Sequence, residues 1–96
     1  MKAYVVVQET VTDEQTFADY RSQVIPTLAP YHGRFVVRGG DLSVLEGEWP
    51  HPRLVILEFP SRDAAMDWYR SAAYQAILPL RMASCQGNLI VVDGTE

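Results

Sequence analysis

Three segments of this chain are apolar at successive positions: Val5–Val7, Leu54–Leu57 and Leu89–Val92. Successive side chains of a β-strand point to opposite faces of the sheet, so these segments predict strands that bury both faces. An antiparallel sheet with one face in water would alternate apolar and polar residues instead. The chain therefore needs cover on both faces of its sheet.

Helical patterns lie between the predicted strands. Thr12 and Gln15 have the spacing of a capping box, which predicts the start of a first helix, and Pro26 predicts a kink or an early end of that helix. Ser61 is a natural N-cap for a second helix. Ser71 is a possible cap for a further helical segment, which Pro79 is predicted to end.

The resulting order is strand, helix, strand, strand, helix, strand. This order predicts an α+β, ferredoxin-like βαββαβ fold, in which both helices cover one face of a four-stranded antiparallel sheet. The predicted strands are Lys2–Glu9, Arg34–Arg38, Arg53–Phe59 and Asn88–Asp93, and Asp41–Pro52 is irregular. Because two helices cover only one face, we expect a second copy of the chain to cover the other, as a homodimer through the open sheet face.

Length and charge limit the classes of function. The 96 residues allow one domain, 1–96, and the formal net charge of −4 argues against a nucleic-acid partner. No apolar stretch approaches the ~20 residues of a membrane span, and the apolar run at the amino end is too short for a signal peptide. We therefore expect a cytoplasmic protein with no membrane partner. The single Cys85 excludes an internal disulfide and a cysteine-based zinc site.

Several spaced motifs resemble the family called domain of unknown function 1330. They are 32–40 (HGRFVVRGG), 45–49 (LEGEW) and 53–60, followed by Ala65, Trp68-Tyr69, Ser71, Tyr74-Gln75 and Arg81. Members commonly carry Gly-Gly where this chain has His32-Gly33. The resemblance covers nearly the whole chain and implies the dimeric α+β barrel superfamily. That superfamily also holds cofactor-free monooxygenases, a lactone isomerase, haem-degrading enzymes and ligand-sensing domains, so the fold alone does not specify a function.

Glu58 is the most informative polar residue of the sequence. It follows an apolar run and shares a predicted sheet face with Leu54 and Ile56. A carboxylate in such surroundings either has a raised pKa, which suits a general base, or is paired with a cation. The available partners are Arg34, Arg38 and Arg53 on the neighbouring strands.

Arginine supplies seven of the eight basic residues, and Lys2 is the only lysine. Arg34 and Arg38 are predicted to share one face of the second strand with Val36, where two guanidinium groups could clamp a carboxylate or an enolate oxygen. Pairing with Glu46, Glu58 or the partner subunit is the alternative. Arg53 and Arg81 admit the same two interpretations.

The histidines and the aromatic residues complete the candidate set. His32 is a candidate acid or base, whereas His51 lies between two prolines, and neither has metal ligands at a suitable spacing. We expect no metal and no cofactor. Trp68, Tyr69 and Tyr74 either form the wall of an aromatic ligand pocket or belong to the core.

Two functions follow from these residues. The first is a small cofactor-independent enzyme, of the oxygenase or isomerase type, acting on a small carboxylated or aromatic metabolite. Glu58 would be its base, with Arg38 and Arg53 as anion-stabilising groups and Trp68 and Tyr69 as pocket walls. The alternative is a non-enzymatic homodimer that binds a ligand or a protein.

Overall fold

Four strands and three α-helices make up the chain, and the computed structural model describes all residues, 1–96. A single 3₁₀ turn, Ala29–Tyr31, follows the first helix. The elements are β1 (Ala3–Val11), α1 (Glu14–Leu28), β2 (Arg34–Arg38), β3 (Arg53–Phe59), α2 (Arg62–Arg70), α3 (Ala72–Ser84) and β4 (Cys85–Asp93).

The four strands form one antiparallel sheet in the order β2-β3-β1-β4. Alternate residues of β1 and β3 pack against the helices, and the core holds buried side chains from all three helices. Its strand members are Val5, Val7, Val55, Leu57 and Phe59. The predicted ferredoxin-like α+β fold is therefore confirmed.

The opposite face of the sheet has apolar side chains on β1 and β4 and no helix over it. Ile90 is 54% exposed and Val92 is 44% exposed, and both lie on this face beside Val6 and Tyr4 of β1. This open face explains the apolar runs in the sequence, because one half of each run packs on the helices and the other half remains uncovered.

The first helix begins one residue later than the sequence indicated. Its N-cap is Asp13 and not Thr12, because the Asp13 carboxylate accepts hydrogen bonds from both the backbone N–H and the hydroxyl of Thr16. These bonds hold the pKa of Asp13 below its ordinary value. The backbone N–H of Thr12 instead donates to the carbonyl of Ser84 at the end of α3.

Neither internal proline ends its helix, which corrects two predictions. The helix α1 continues past Pro26 to Leu28, and α3 continues past Pro79 to Ser84. Both prolines lie on the exposed side, where water can bind the carbonyl that loses its N–H partner. Buried residues on both sides of each proline keep the helix packed on the sheet.

A β-bulge lies in β2, between Phe35 and Val37. Arg34 consequently pairs with Glu58 on the open face, whereas Arg38 pairs with Val55, whose side chain faces the helices. The prediction that Arg34 and Arg38 share a face is wrong, because the extra residue of the bulge reverses the alternation after it.

The 14 residues between β2 and β3 form a loop without regular structure. Leu45 at its tip is 90% exposed. The loop returns along the open face, where Thr10 Oγ1 and His51 Nδ1 lie 3.0 Å apart. None of the three helices combines the length and the apolar character that a bilayer-crossing helix needs.

Candidate active-site cleft

A cleft opens between the sheet and α1, at the end of the sheet where β1 finishes and β3 begins. Its cavity volume is small, about 30 Å³, and nine of its fourteen lining residues are hydrophobic. Apolar contributions come from every strand, from α1 and from α2. The polar side chains are Glu9, Arg21, Arg38, Arg53 and Arg81, together with the amphipathic Tyr20.

Glu9 is the only carboxylate that lines the cleft, and it is 3% exposed. Its Oε2 accepts a hydrogen bond from Arg53 Nε at 3.1 Å, and its Oε1 accepts one from Arg81 Nε at 3.4 Å. The Cys85 thiol also donates weakly to Oε1, at 3.7 Å. Both carboxylate oxygens are thus engaged, as a buried charge requires.

The sequence contains the signal that places Glu9 in the cleft, although the residue was not among the predicted site residues. It continues the alternation of Ala3, Val5 and Val7, which puts it on the helix-facing side of β1. Arg81 likewise lies seven residues after Tyr74 and four after Ile77 on one face of α3, and all three are buried. The strand alternation of β1 continued to the next position reaches Glu9, and the helical period of α3 continued by one turn reaches Arg81.

Arg53 and Arg81 each donate only their Nε to Glu9. The remaining guanidinium nitrogens form no hydrogen bond within the protein. No buried side-chain nitrogen or oxygen lacks a partner, so these nitrogens reach solvent. Glu9 therefore holds two guanidinium groups in place while their outer donors stay free.

Gly39 allows Arg53 to take this position. Its φ is +68°, and a side-chain carbon at this residue would overlap Arg53 Nη1. The backbone N–H of Gly39 donates to the carbonyl of Leu54 at 2.8 Å, which fixes the turn at the end of β2.

Tyr20 lines the cleft, and its hydroxyl lies 3.0 Å from the hydroxyl of Tyr74. Burial is the main cause that raises the pKa of Tyr20, and the neighbouring Tyr74 raises it further. Burial also raises the pKa of Tyr74. Both phenols therefore stay protonated at neutral pH and can donate hydrogen bonds.

Trp68 forms the rigid back wall of the cleft. Its ring centroid is 4.2 Å from that of Tyr74, and its Nε1 donates to Thr27 Oγ1 at 3.0 Å. Thr27 in turn donates to the carbonyl of Val24 at 2.6 Å. The indole is thus fixed both by packing and by a hydrogen-bonded chain to α1.

Arg21 and Arg38 line the cleft without a carboxylate partner, since neither forms a salt bridge. The Arg38 guanidinium lies 4.3 Å from the ring centroid of Phe35. Arg21 and Arg53 lie 5.6 Å and 5.3 Å from the ring centroid of Phe17. Cation–π contacts therefore orient these three groups.

The structure brings together three of the seven predicted site residues. Arg38, Arg53 and Trp68 line the cleft, and Tyr74 lies behind it in contact with Tyr20. Tyr69 lines a separate open groove beside β4. His32 is exposed in a left-handed turn with φ of 59°.

Glu58 lies on the open face, away from the cleft. Its carboxylate pairs with Lys2 Nζ at 3.0 Å and Arg34 Nη2 at 2.9 Å, and 12% of its side chain is exposed. The hydrogen bond from Lys2 and the charge of Arg34 hold the pKa of Glu58 below its ordinary value. These two ion pairs support the paired interpretation of Glu58, with Arg34 and Lys2 as the cations.

The chain contains no group of three His, Cys, Asp or Glu side chains placed to hold a metal ion. Burial raises the pKa of the Cys85 thiol, which also donates to the Arg81 carbonyl at 3.1 Å. A thiol in this state is a poor nucleophile.

Comparison with known families identifies the chain. The model of the family described as Domain of unknown function (DUF1330) matches residues 2–95. The chain belongs to this family. The resemblance predicted from the spaced motifs is therefore confirmed. No curated protein matches the chain.

Solved structures extend the similarity of fold. RPA0582 of Rhodopseudomonas palustris, a protein of unknown function, has a TM-score of 0.80 at 18% identity, covering 99% of this chain and 83% of its own. A dimeric ferredoxin-like protein from Jannaschia sp. CCS1 has a TM-score of 0.68 at 15% identity, covering 98% and 100%. SnoaB of Streptomyces nogalater, a cofactor-independent oxygenase, has a TM-score of 0.65 at 13% identity, covering 99% and 94%.

Proposed function

We propose that this member of the DUF1330 family is a small cofactor-independent enzyme, of the oxygenase or isomerase type, acting on a small carboxylated or aromatic metabolite in the cleft. The observation that carries the proposal is a single buried carboxylate, Glu9, held by two arginines in a cleft with aromatic walls. The fold shared with the cofactor-independent oxygenase SnoaB supports the same class of activity.

The cleft offers the groups needed to remove a proton next to a carbonyl. Glu9 is proposed to accept the proton, since Glu58 and His32 lie elsewhere. The C–H electron pair then moves into an enolate, whose oxygen is stabilised by Arg53 and by the Tyr20 hydroxyl. Return of the proton to another carbon completes an isomerisation. Alternatively, the carbanion formed from a CH₂ group adds dioxygen, and the resulting peroxide takes back the proton from Glu9. Cleavage of the O–O bond with loss of the remaining C–H proton then gives a carbonyl group and water.

Substrate screening and proton exchange test the proposal. A panel of small aromatic and carboxylated ketones is incubated with the protein in D₂O, and NMR measures deuterium incorporation while an electrode measures oxygen uptake. Glu9→Gln is expected to abolish exchange at a bound compound, and Glu58→Gln, a matched carboxylate outside the cleft, is expected to preserve it. The opposite result overturns the assignment of Glu9. If Glu9→Gln does not fold, Tyr20→Phe is expected to slow exchange in a folded protein.

A non-enzymatic ligand-binding domain is the second candidate. The full pairing of both Glu9 oxygens favours it, because each oxygen already accepts a hydrogen bond from an arginine inside the protein. Compounds that bind in the cleft with neither deuterium exchange nor oxygen uptake would support this candidate.

We also propose that the active form is a homodimer through the open sheet face. The exposed apolar side chains of that face include Val36, Ile90 and Val92, and single chains seldom leave such a surface in water. The dimeric ferredoxin-like protein from Jannaschia has the same fold and supports this assembly.

A further inference from the structure

We infer that the cleft selects a planar aromatic carboxylate, whose anionic group binds to the free guanidinium donors of Arg21, Arg38 and Arg53 at the mouth. This inference rests on the cleft of the proposed function and specifies the ligand that it takes. It depends on charge, on unused hydrogen-bond donors and on the aromatic side chains beside them.

The charge of the cleft is opposite to that of the chain. Four of the seven arginines line it, against the single carboxylate of Glu9, although the chain as a whole has a formal net charge of −4. Glu14 borders the groove outside the mouth and forms no salt bridge, so the mouth remains positive when it is included. A low-dielectric cleft with an excess of one charge concentrates ligands of the opposite charge.

The cleft also has more arginine hydrogen-bond donors than the Glu9 carboxylate can bind. Arg21 and Arg38 have no carboxylate partner, and Arg53 uses only its Nε. Guanidinium groups match the two oxygens of a carboxylate when they donate through two parallel N–H bonds. The hydrogen bond from Arg53 Nε to Glu9 limits the side-chain freedom of Arg53 before a ligand binds, so little of that freedom is lost on binding.

The aromatic side chains of the cleft favour a ligand that has a ring beside its carboxylate. The guanidinium groups of Arg21 and Arg53 both lie near the Phe17 ring, and Phe35 lies under Arg38. A flat ring can pack against the edge of Phe35, which is only partly buried, while its carboxylate stays beside the arginines. A phosphate would use only the charge and leave the apolar lining in contact with water.

Titrations with small probes separate the parts of this inference. Benzoate supplies ring and charge, benzamide supplies the ring without the charge, acetate supplies the charge without the ring, and inorganic phosphate is a second anion. Amide chemical shifts are recorded during each titration. Benzoate is expected to shift residues around Glu9, Phe17 and Phe35 and to bind about tenfold more tightly than each other probe. Equal binding of benzamide, tighter binding of phosphate, or no saturable shift from benzoate overturns the inference.

Matched arginine variants locate the anion. Arg21→Gln and Arg38→Gln are each expected to weaken benzoate binding about tenfold and to leave benzamide binding unchanged. Arg70→Gln, at an exposed arginine of α2 that also has no salt bridge, serves as the control and is expected to bind benzoate normally. An equal loss in the control variant points to general surface charge and overturns the assignment.

This experiment measures binding and not turnover. Selective benzoate binding without any catalytic activity supports the inference and contradicts only the enzymatic function. Catalysis that depends on Glu9 but shows no preference for anions supports the enzymatic function and contradicts the inferred aromatic carboxylate.

Discussion

Glu9 and Arg81 are 72 positions apart in the sequence, yet a carboxylate oxygen of one lies 3.4 Å from the Nε of the other, with the residues 3% and 5% exposed. The contact connects the end of β1 to the end of α3 inside the core. Because Arg53 of β3 binds the other oxygen of the same carboxylate, three elements converge on one buried charge.

Removal of Arg81 should therefore destabilise the protein. Arg81→Met is expected to lower the free energy of unfolding by about 3 kcal/mol, since Glu9 then keeps only one of its two cationic partners. Urea denaturation measures the change. Arg62→Met removes an exposed salt bridge to Asp93 and is expected to cost less than about 1 kcal/mol. Equal costs for the two variants would contradict the role of burial.

Gly39 and Gly47 form a second matched pair. Both have positive φ, +68° and +77°, but only at Gly39 would a side chain meet another group, Arg53. Gly47→Ala is expected to cost about 1 kcal/mol of backbone strain. Gly39→Ala should cost more and should also weaken benzoate binding, because Arg53 is displaced. Unchanged benzoate affinity in a folded Gly39→Ala variant would show that Arg53 does not contact the ligand.

The pairing of Glu58 predicts a dependence of stability on pH. Its pKa is lowered in the folded protein, so it contributes stability above its ordinary value of 4.5, and this contribution is lost as pH falls through the lower folded pKa. The difference in unfolding free energy between the native chain and Glu58→Gln should be constant near neutral pH and should shrink below pH 4.5. Urea titrations at fixed protein concentration measure it. A difference that grows on acidification would contradict the pairing.

Two isoleucines with nearly equal exposure allow a matched test of the proposed dimer through the open face. Ile90 on the open face is 54% exposed, and Ile25 on α1 is 52% exposed. Ile90→Glu is expected to convert a dimer into a monomer in sedimentation velocity, because a charge would be buried at the interface. Ile25→Glu should leave the assembly unchanged. A native chain that sediments as a monomer, or a dimer that tolerates Ile90→Glu, would place the contact elsewhere.

The fold was predictable because its signals are local and regular. The apolar runs around Val6 and Ile56 predicted a sheet with apolar side chains on both faces, and the order of strands and helices left few topologies. The predicted capping residue was wrong by one position because Thr12 and Asp13 are both good caps, and only the structure shows that the Asp13 side chain binds Thr16.

The site was less predictable because it depends on register. A single extra residue in β2 moved Arg38 from the open face to the cleft, and nothing in the local sequence marks that bulge. Glu58 was placed on the correct face, but its partner Lys2 depends on how β1 aligns with β3. The alternation of β1 could have predicted that Glu9 faces the helices. Its contact with Arg81 could not be predicted, because it depends on how α3 packs on the sheet.

The four arginines of the cleft differ in whether they bind Glu9, and this difference determines which of them can be substituted without loss of the fold. Arg53 and Arg81 are bound to a core carboxylate, so exchanging them threatens the folded state. Arg21 and Arg38 form no salt bridge, and both are exposed. Substitutions at these two rim positions are therefore expected to cost little stability, so the proposed anion site can be altered there without loss of the fold.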